Sequence, residues 1–378
     1  MPRVALVQFA SLSPSAPLPA AALDATQQHH DDRHQQQHAP SQFNLQRAHD
    51  YVKQAAKQGA ELVVFPEYFL SGVVSEPEHW HLAQFPHTHA HLHRPSDSET
   101  ATAQHWLSTF QHLAKDLRVD IVVGTIVERA VDAESGQPLS RQVEIESDQT
   151  GERRTETRPV LENVSTYIDW NGEIIGRYKK RNLWWPEKDY LCAGDEEHQV
   201  FDTRFGKVGI LVCWDLAWPR AFEPLLLRGA DMIIAPTYWT GTDGGPEGMK
   251  HNPTSETDFL QVLVKTRAWD NECAILFCNV GAPTSWSPGD PFGNEEGRIG
   301  CSQVCVPFKG AIASALLSLQ RITDHEHRKP EQKGPQEELV LADLDLSILE
   351  DARKVYGMRR DLITKLREEG KLPDWVKE

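Results

Sequence analysis

The chain has 378 residues, 39% hydrophobic and 25% charged, which excludes both a small stapled domain and a disordered polymer. Its 39 basic residues are outnumbered by 55 acidic ones, for a formal charge of −16. Such a chain is poorly suited to gripping phosphate backbones, so a small-molecule substrate is expected and a nucleic-acid partner is not.

Val4 to Ala10 is apolar and β-prone and opens a strand almost at once. Nothing at this end has the length of a secretion signal's apolar core, and no apolar run anywhere reaches about 18 residues. A reduced cytoplasmic compartment and no membrane contact are therefore expected. Ser11 to Ser41 is rich in Pro, Gln and His and reads as a solvated insert or mobile loop. Phe43 to Gln58 carries Leu45, Ala48, Val52, Ala55 and Ala56 at helical spacing, and Gly59 stops it. Glu61 to Phe65 is a short buried strand ending in Pro66-Glu67. The stretch 75–99 is irregular, Thr102 to Leu117 helical, and Asp120 to Glu128 a strand. The polar stretch 130–158 reads as a hairpin excursion or insert. Asn163 to Trp170 and Glu173 to Tyr178 are strands around Asn171-Gly172, a strong hairpin signal.

Lys207 to Val212 is the next strand, Pro219 to Arg228 a helix, and Asp231 to Pro236 a strand. GTDGGPEG, Gly241 to Gly248, lacks the lysine spacing of a phosphate loop and reads as a flexible loop near the pocket. Ser255 to Asn271 is a long helix. Cys273 to Asn279, Cys301 to Pro307 and Glu338 to Leu344 are strands, and Ser347 to Glu369 is a charged helical tail. Strands alternating with helices argue for an α/β layered fold, and strands apolar at every position are buried on both faces. No composition break divides the chain, so one domain over 1–378 is expected, with inserts at 11–41, 75–99 and 130–158.

Six cysteines, Cys192, Cys213, Cys273, Cys278, Cys301 and Cys305, are too sparse for a disulfide framework, and none forms a CxxC pair. Cys213 stands apart. A structural cysteine packs inside an apolar run, whereas this one follows the run KVGILV, ahead of a helix start. Glu67 after ELVVF and Lys180 after EIIGRY share that context. A lone Glu after a strand is ordinarily solvated, and a Lys beside another Lys is ordinarily surface charge. Functional groups of α/β sheets gather beyond the carboxyl ends of strands, so the three together make a chemical unit. Glu67 can accept the Cys213 proton. Lys180 and the Trp214 N–H can stabilise a developing oxyanion. A helix N-terminus near Pro219 would favour negative charge on the sulfur.

With FPEYFLSG around Glu67, RYKKRNLWWPE around Lys180 and GILVCWDLAWPR around Cys213, the sequence resembles the nitrilase superfamily of carbon–nitrogen hydrolases. GADMIIAPTYW, TRAWDNECAILFCNVGA, GCSQVCVPFKG and ADLDLSILEDAR support the match. The resemblance implies an α-β-β-α sandwich and a Glu–Lys–Cys catalytic set, with Tyr178-Lys179-Lys180-Arg181-Asn182-Leu183 placing Lys180 in the catalytic position. Neighbours in a strand face opposite ways, so only one of the two lysines can reach the site. The family's second glutamate is best matched by Glu187, whose alternative reading is a surface loop residue. Attack by Cys213 on an amide, departure of ammonia and hydrolysis of a thioester are implied, with no metal or organic cofactor.

Cys213-Trp214-Asp215 shares Trp with nitrile-cleaving branches and Asp with amidase and carbamoylase branches. The reading favours amide hydrolysis, keeps nitrile hydrolysis as the alternative, and keeps a non-catalytic scaffold as a third. Asp215 is expected to bond nearby backbone N–H groups. Trp184, Trp185, Trp214, Trp218, Tyr238 and Trp239 lie near strand exits; of these Trp184, Trp214, Tyr238 and Trp239 are taken as substrate-binding. A homodimer or larger homo-oligomer is implied by the family. His87, His89, His91 and His93 alternate, but they lie in a His- and Pro-rich insert and are not assigned to a metal. The weaker group His29, His30, His34 and His38 is not assigned either.

Overall fold

The protein's structure, a computed structural model, describes residues 1–18, 33–89, 106–146, 153–283, 297–315 and 335–376. Its first elements are β1 (Arg3–Gln8), α1 (Arg33–Lys57), β2 (Leu62–Val64), α2 (Trp106–Leu117) and β3 (Asp120–Arg129). Then follow β4 (Ser140–Glu146), β5 (Arg153–Pro159), β6 (Leu161–Ile168), β7 (Ile174–Lys179), β8 (Val200–Thr203) and β9 (Gly206–Ile210). Next come α3 (Pro219–Leu227), β10 (Met232–Thr237), α4 (Gly245–His251), α5 (Ser255–Asp270) and β11 (Ala274–Asn279). The last are β12 (Gln303–Val306), β13 (Gly310–Ser314), β14 (Glu338–Asp343), α6 (Ile348–Val355) and α7 (Met358–Glu368).

Side-chain alternation along the strands decides the layers. Val4, Leu6, Leu62, Val64 and Val122 face one way and pack with Val208, Ile210, Ile234 and Leu276. Ala5, Val7, Val63, Ile121 and Val123 face the other way, onto Ala48 and Val52 of α1 and Leu107 and Phe110 of α2. Among the described residues the strands form two six-stranded sheets, ordered β14-β1-β2-β3-β6-β7 and β13-β12-β11-β10-β9-β8. Phe222 and Leu225 of α3 and Leu260 and Val264 of α5 join the second sheet's core. The result is the expected α-β-β-α sandwich.

In the first sheet β1, β2 and β3 are parallel, and β6 pairs antiparallel to β3. β7 reverses again, so it runs with β2. In the second, β9, β10 and β11 are parallel. β4 and β5 form a separate two-stranded ladder, the expected hairpin excursion. No helix of the described residues is long and apolar enough to cross a membrane.

Some local expectations are corrected. The stretch 11–41 is not a solvated insert throughout. α1 begins at Arg33, and Ser11, Leu12 and Ser41 are buried. The cause is Asn44, whose side chain bonds both Leu12 N and Leu12 O (2.9 and 3.0 Å) and Leu70 O (2.9 Å). Half of GTDGGPEG is helix, because Pro246 presets the first turn of α4. The charged tail is two helices, α6 and α7, broken at Gly357, whose φ of +65° no helix interior adopts. Of the histidines, His29, His30, His91 and His93 lie outside the described residues.

Candidate active site

Three strand exits deliver the site. Glu67 follows β2, Lys180 follows β7, and Cys213 follows β9 after Leu211 and Val212. Because β7 runs parallel to β2, the ammonium and the carboxylate leave the first sheet at the same edge. Two of the exits are sharp corners: Tyr68, next to Glu67, has φ +56°, and Cys213 itself has φ +49°. Left-handed corners at non-glycine residues are strained and turn the chain abruptly, which aims the side chain off the sheet edge. Gly124 of β3 underlies the Pro66-Glu67 exit, since a Cβ there would collide with the carbonyl oxygens of Phe65 and Pro66. The helix at Pro219 does not begin at the sulfur. A 3-10 turn, Cys213–Ala217, stands between them.

Lys180 Nζ donates to Glu67 Oε1 (2.9 Å) and to Glu187 (2.8 Å to Oε1, 2.7 Å to Oε2). Glu67 Oε1 also accepts from Asn163 Nδ2 (2.7 Å), and Oε2 accepts from the Tyr238 N–H (2.9 Å), which comes from the second sheet. Glu187 sits in the 3-10 turn Trp185–Asp189, accepts from Tyr68 Oη (2.5 Å) and Trp184 N (2.8 Å), and is not a surface residue. The Cys213 Sγ lies 3.8 Å from Tyr238 O. Glu67, Lys180, Glu187 and Cys213 are all buried, and all four line one cavity of about 760 Å3.

Burial governs the proton affinities here. It pushes the Glu67 carboxyl up to about 7, against the pull of Lys180, with Glu187 adding to the rise and hydrogen bonds from Lys180 and Cys213 lowering it. Burial also pushes the Cys213 thiol well above its usual range; Glu67 raises it further, and Lys180 opposes. For Lys180, burial works against the charge, yet Glu67, Cys213 and Glu187 more than compensate and hold it protonated. At rest the site therefore holds a thiol, an ammonium and a carboxyl balanced between its two forms near neutrality. That is the state from which a base can take the sulfur's proton.

The remaining walls are aromatic. Trp184, Trp214, Tyr238 and Trp239 line the cavity. Ring centroids step from Trp184 to Trp214 (4.6 Å), Trp239 (5.4 Å) and Phe259 (5.7 Å). Trp185 and Trp218 do not belong to it; they are 68% and 47% exposed. Sequence reasoning missed Tyr68, Asn163, Asp243, Glu256 and Arg158. Asn163 stands in β6, LENVSTYI, among Glu162, Ser165 and Thr166, so one more polar residue there gave no local signal. Arg158 reaches the cavity from β5, so the hairpin excursion contributes to the wall.

Comparison with known proteins agrees with this architecture. The chain is 31% identical over 195 residues to a nitrilase of Pyrococcus abyssi, covering 51% of this chain and 58% of that one. It is 35% identical over 205 residues to the N-carbamoylputrescine amidase of Arabidopsis thaliana, covering 53% and 60%. The chain thus spans less than two thirds of the length of these curated relatives. A carbon-nitrogen hydrolase from Helicobacter pylori superposes with a TM-score of 0.62 at 17% identity, over 95% of this chain and 94% of that one. An amidase from Nesterenkonia sp. AN1, with acrylamide added at its active site cysteine, superposes at 0.53 and 17% identity over 94% and 98%. At such identities the superpositions speak for the fold alone. The sequence profile of the carbon-nitrogen hydrolase family matches residues 20–306, most of the chain, and by that match the protein belongs to this family.

Proposed function

We propose that the protein hydrolyses the amide carbon–nitrogen bond of a small molecule, releasing a carboxylic acid and ammonia through a thioester on Cys213. The observation that carries the reading is Lys180 Nζ bridging Glu67 and Glu187 in the wall that also holds Cys213. Glu67 takes the thiol proton as sulfur attacks the carbonyl carbon. Negative charge then gathers on oxygen, where Lys180 and the Trp214 N–H supply donors; one such donor is worth about 3–4 kcal/mol. Collapse of the tetrahedral intermediate expels ammonia, which receives the proton from Glu67, and leaves the acyl group on sulfur. Glu67 then removes a proton from water, the hydroxyl attacks the thioester, and the thiol returns. Glu187, fixed by Tyr68 and Trp184, keeps Lys180 aimed. The enclosing aromatic rings suit an uncharged carboxamide held away from bulk water.

Nitrile hydrolysis is the second reading, favoured by Trp214 directly after the cysteine. Incubation with a panel of amides, N-carbamoyl compounds and nitriles, with ammonia assayed, separates the two. Release from amides alone is expected. Cys213→Ala should abolish it while melting within a few degrees of wild type, and turnover surviving in that variant overturns the assignment. No release from any compound would favour a scaffold that keeps the fold.

A further inference from the structure

Asp215 lies two residues beyond the nucleophile position, is fully buried, and does not line the cavity. A buried carboxylate is costly unless its oxygens are met by donors. Here four meet it. Oδ1 accepts from Asn182 N (2.9 Å) and Asn182 Nδ2 (2.7 Å). Oδ2 accepts from Tyr178 Oη (2.8 Å) and Val212 N (2.9 Å). Tyr178 and Asn182 flank Lys180 on either side in the chain, and Val212 directly precedes Cys213. The first pair hangs from the first sheet and Val212 from the second, so one carboxylate joins the two backbones that carry the ammonium and the sulfur. His198, also buried, packs behind Tyr178 with Nε2 3.3 Å from its oxygen.

We infer that Asp215, clamped by Tyr178, is a positioning residue that sets where the Lys180 ammonium stands relative to the Cys213 sulfur. The inference rests on the thiol-hydrolase reading, but its test does not need a substrate. Tyr178→Phe removes one hydroxyl from the clamp. Tyr167→Phe is the matched control: it breaks another buried Tyr–Asp bond (Tyr167 Oη to Asp120 Oδ2, 2.8 Å), at the amino end of β3, away from the strand exits that carry the site. Alkylation of Cys213 by iodoacetamide is followed against pH by peptide mass, alongside kcat and KM on any amide the wild type turns over.

Tyr178→Phe is expected to slow Cys213 alkylation at neutral pH by about 10- to 100-fold and to displace its pH profile upward. It should lower kcat with little change in KM. Tyr167→Phe should leave the profile and kcat at wild-type values even where it lowers the melting temperature equally. Equal effects from the two variants, or none from Tyr178→Phe, would overturn the inference. Should Tyr178→Phe fail to fold, Asn182→Ala, which removes the 2.7 Å side-chain donor to Asp215, is read against the same two outcomes. A wild type that alkylates normally but hydrolyses nothing would sink the proposed function while the alkylation comparison still decides the role of Asp215.

Discussion

Glu67 makes activity and stability move in opposite directions with pH. Its carboxyl titrates near 7 in the folded chain against an ordinary value of 4.5, chiefly because it is buried. In the proposed reaction only the ionised form takes the thiol proton, so kcat/KM should climb with pH through an apparent pKa near 7. A group whose folded pKa is raised binds its proton more tightly in the folded state, so protonation favours folding. Its contribution to stability therefore grows as pH falls from about 7 towards 4.5, the range in which activity disappears. Glu67→Gln imitates the protonated form and should be inactive. Above pH 7 it should exceed wild type in stability by on the order of 1–3 kcal/mol, and the gain should vanish near pH 4.5. Paired thermal melts across that range check this; a variant less stable than wild type at pH 8 would contradict it. These residues were legible because Glu67, Lys180 and Cys213 each follow a strand and lie in stretches that resemble the family. Their supports were not: Asn163 reaches Glu67 through the register of β6, and the Tyr238 N–H reaches it from the other sheet. No local pattern carries either relation.

At the scale of elements, the strand exits depend on close backbone approach. Gly124→Ala drives a methyl group into the Pro66 carbonyl beneath Glu67. It should cost about 1–3 kcal/mol by overpacking and should lower kcat by moving the base. Urea melts and initial rates test the two effects, and an unchanged kcat would show that Glu67 is held independently of β3. Most strands and helices could be read from sequence: β1, β3, β10 and β11 stand in apolar runs, and the Asn171-Gly172 turn marks β6 and β7. β8 and β13 escaped notice; they are short outer strands with half-buried residues, and their pairing decides their structure. The start of α1 was hidden for a different reason. Its Gln- and His-rich composition looks like a loop, yet glutamine is a good helix former, and Asn44 anchors the preceding segment. The break between α6 and α7 had its sign in Gly357, which a reading by charge alone passed over.

For the molecule as a whole, the site straddles both sheets, so it should survive only as long as they stay packed together. Leu6 and Val64 face Ile234 and Leu276 in the core between the sheets. Leu6→Ala should remove about 2–5 kcal/mol and bring forward thermal inactivation and global unfolding together. Leu139→Ala, at a position 41% exposed on the hairpin excursion, should change stability by less than about 0.5 kcal/mol. Circular dichroism and residual activity, measured on the same heated samples, check the coincidence; activity lost well below the unfolding transition would show a site that loosens on its own. The layer order was legible only through the family resemblance, because β1 and β2 are apolar along most of their length and show no alternation. The pairing of the two sheets' edges was not, because it joins residues far apart in the chain.

The hairpin formed by β4 and β5 leaves the first sheet at Arg129 and returns at Leu161, and these two residues face each other across the β3–β6 ladder. Chain departing and rejoining at a single rung can be lengthened, shortened or exchanged without shifting any other pairing. Arg158 on that hairpin lines the cavity. The molecule thus carries an interchangeable cassette in one wall of its cavity, where a lineage or an engineer could reshape the lining while leaving Glu67, Lys180 and Cys213 in place.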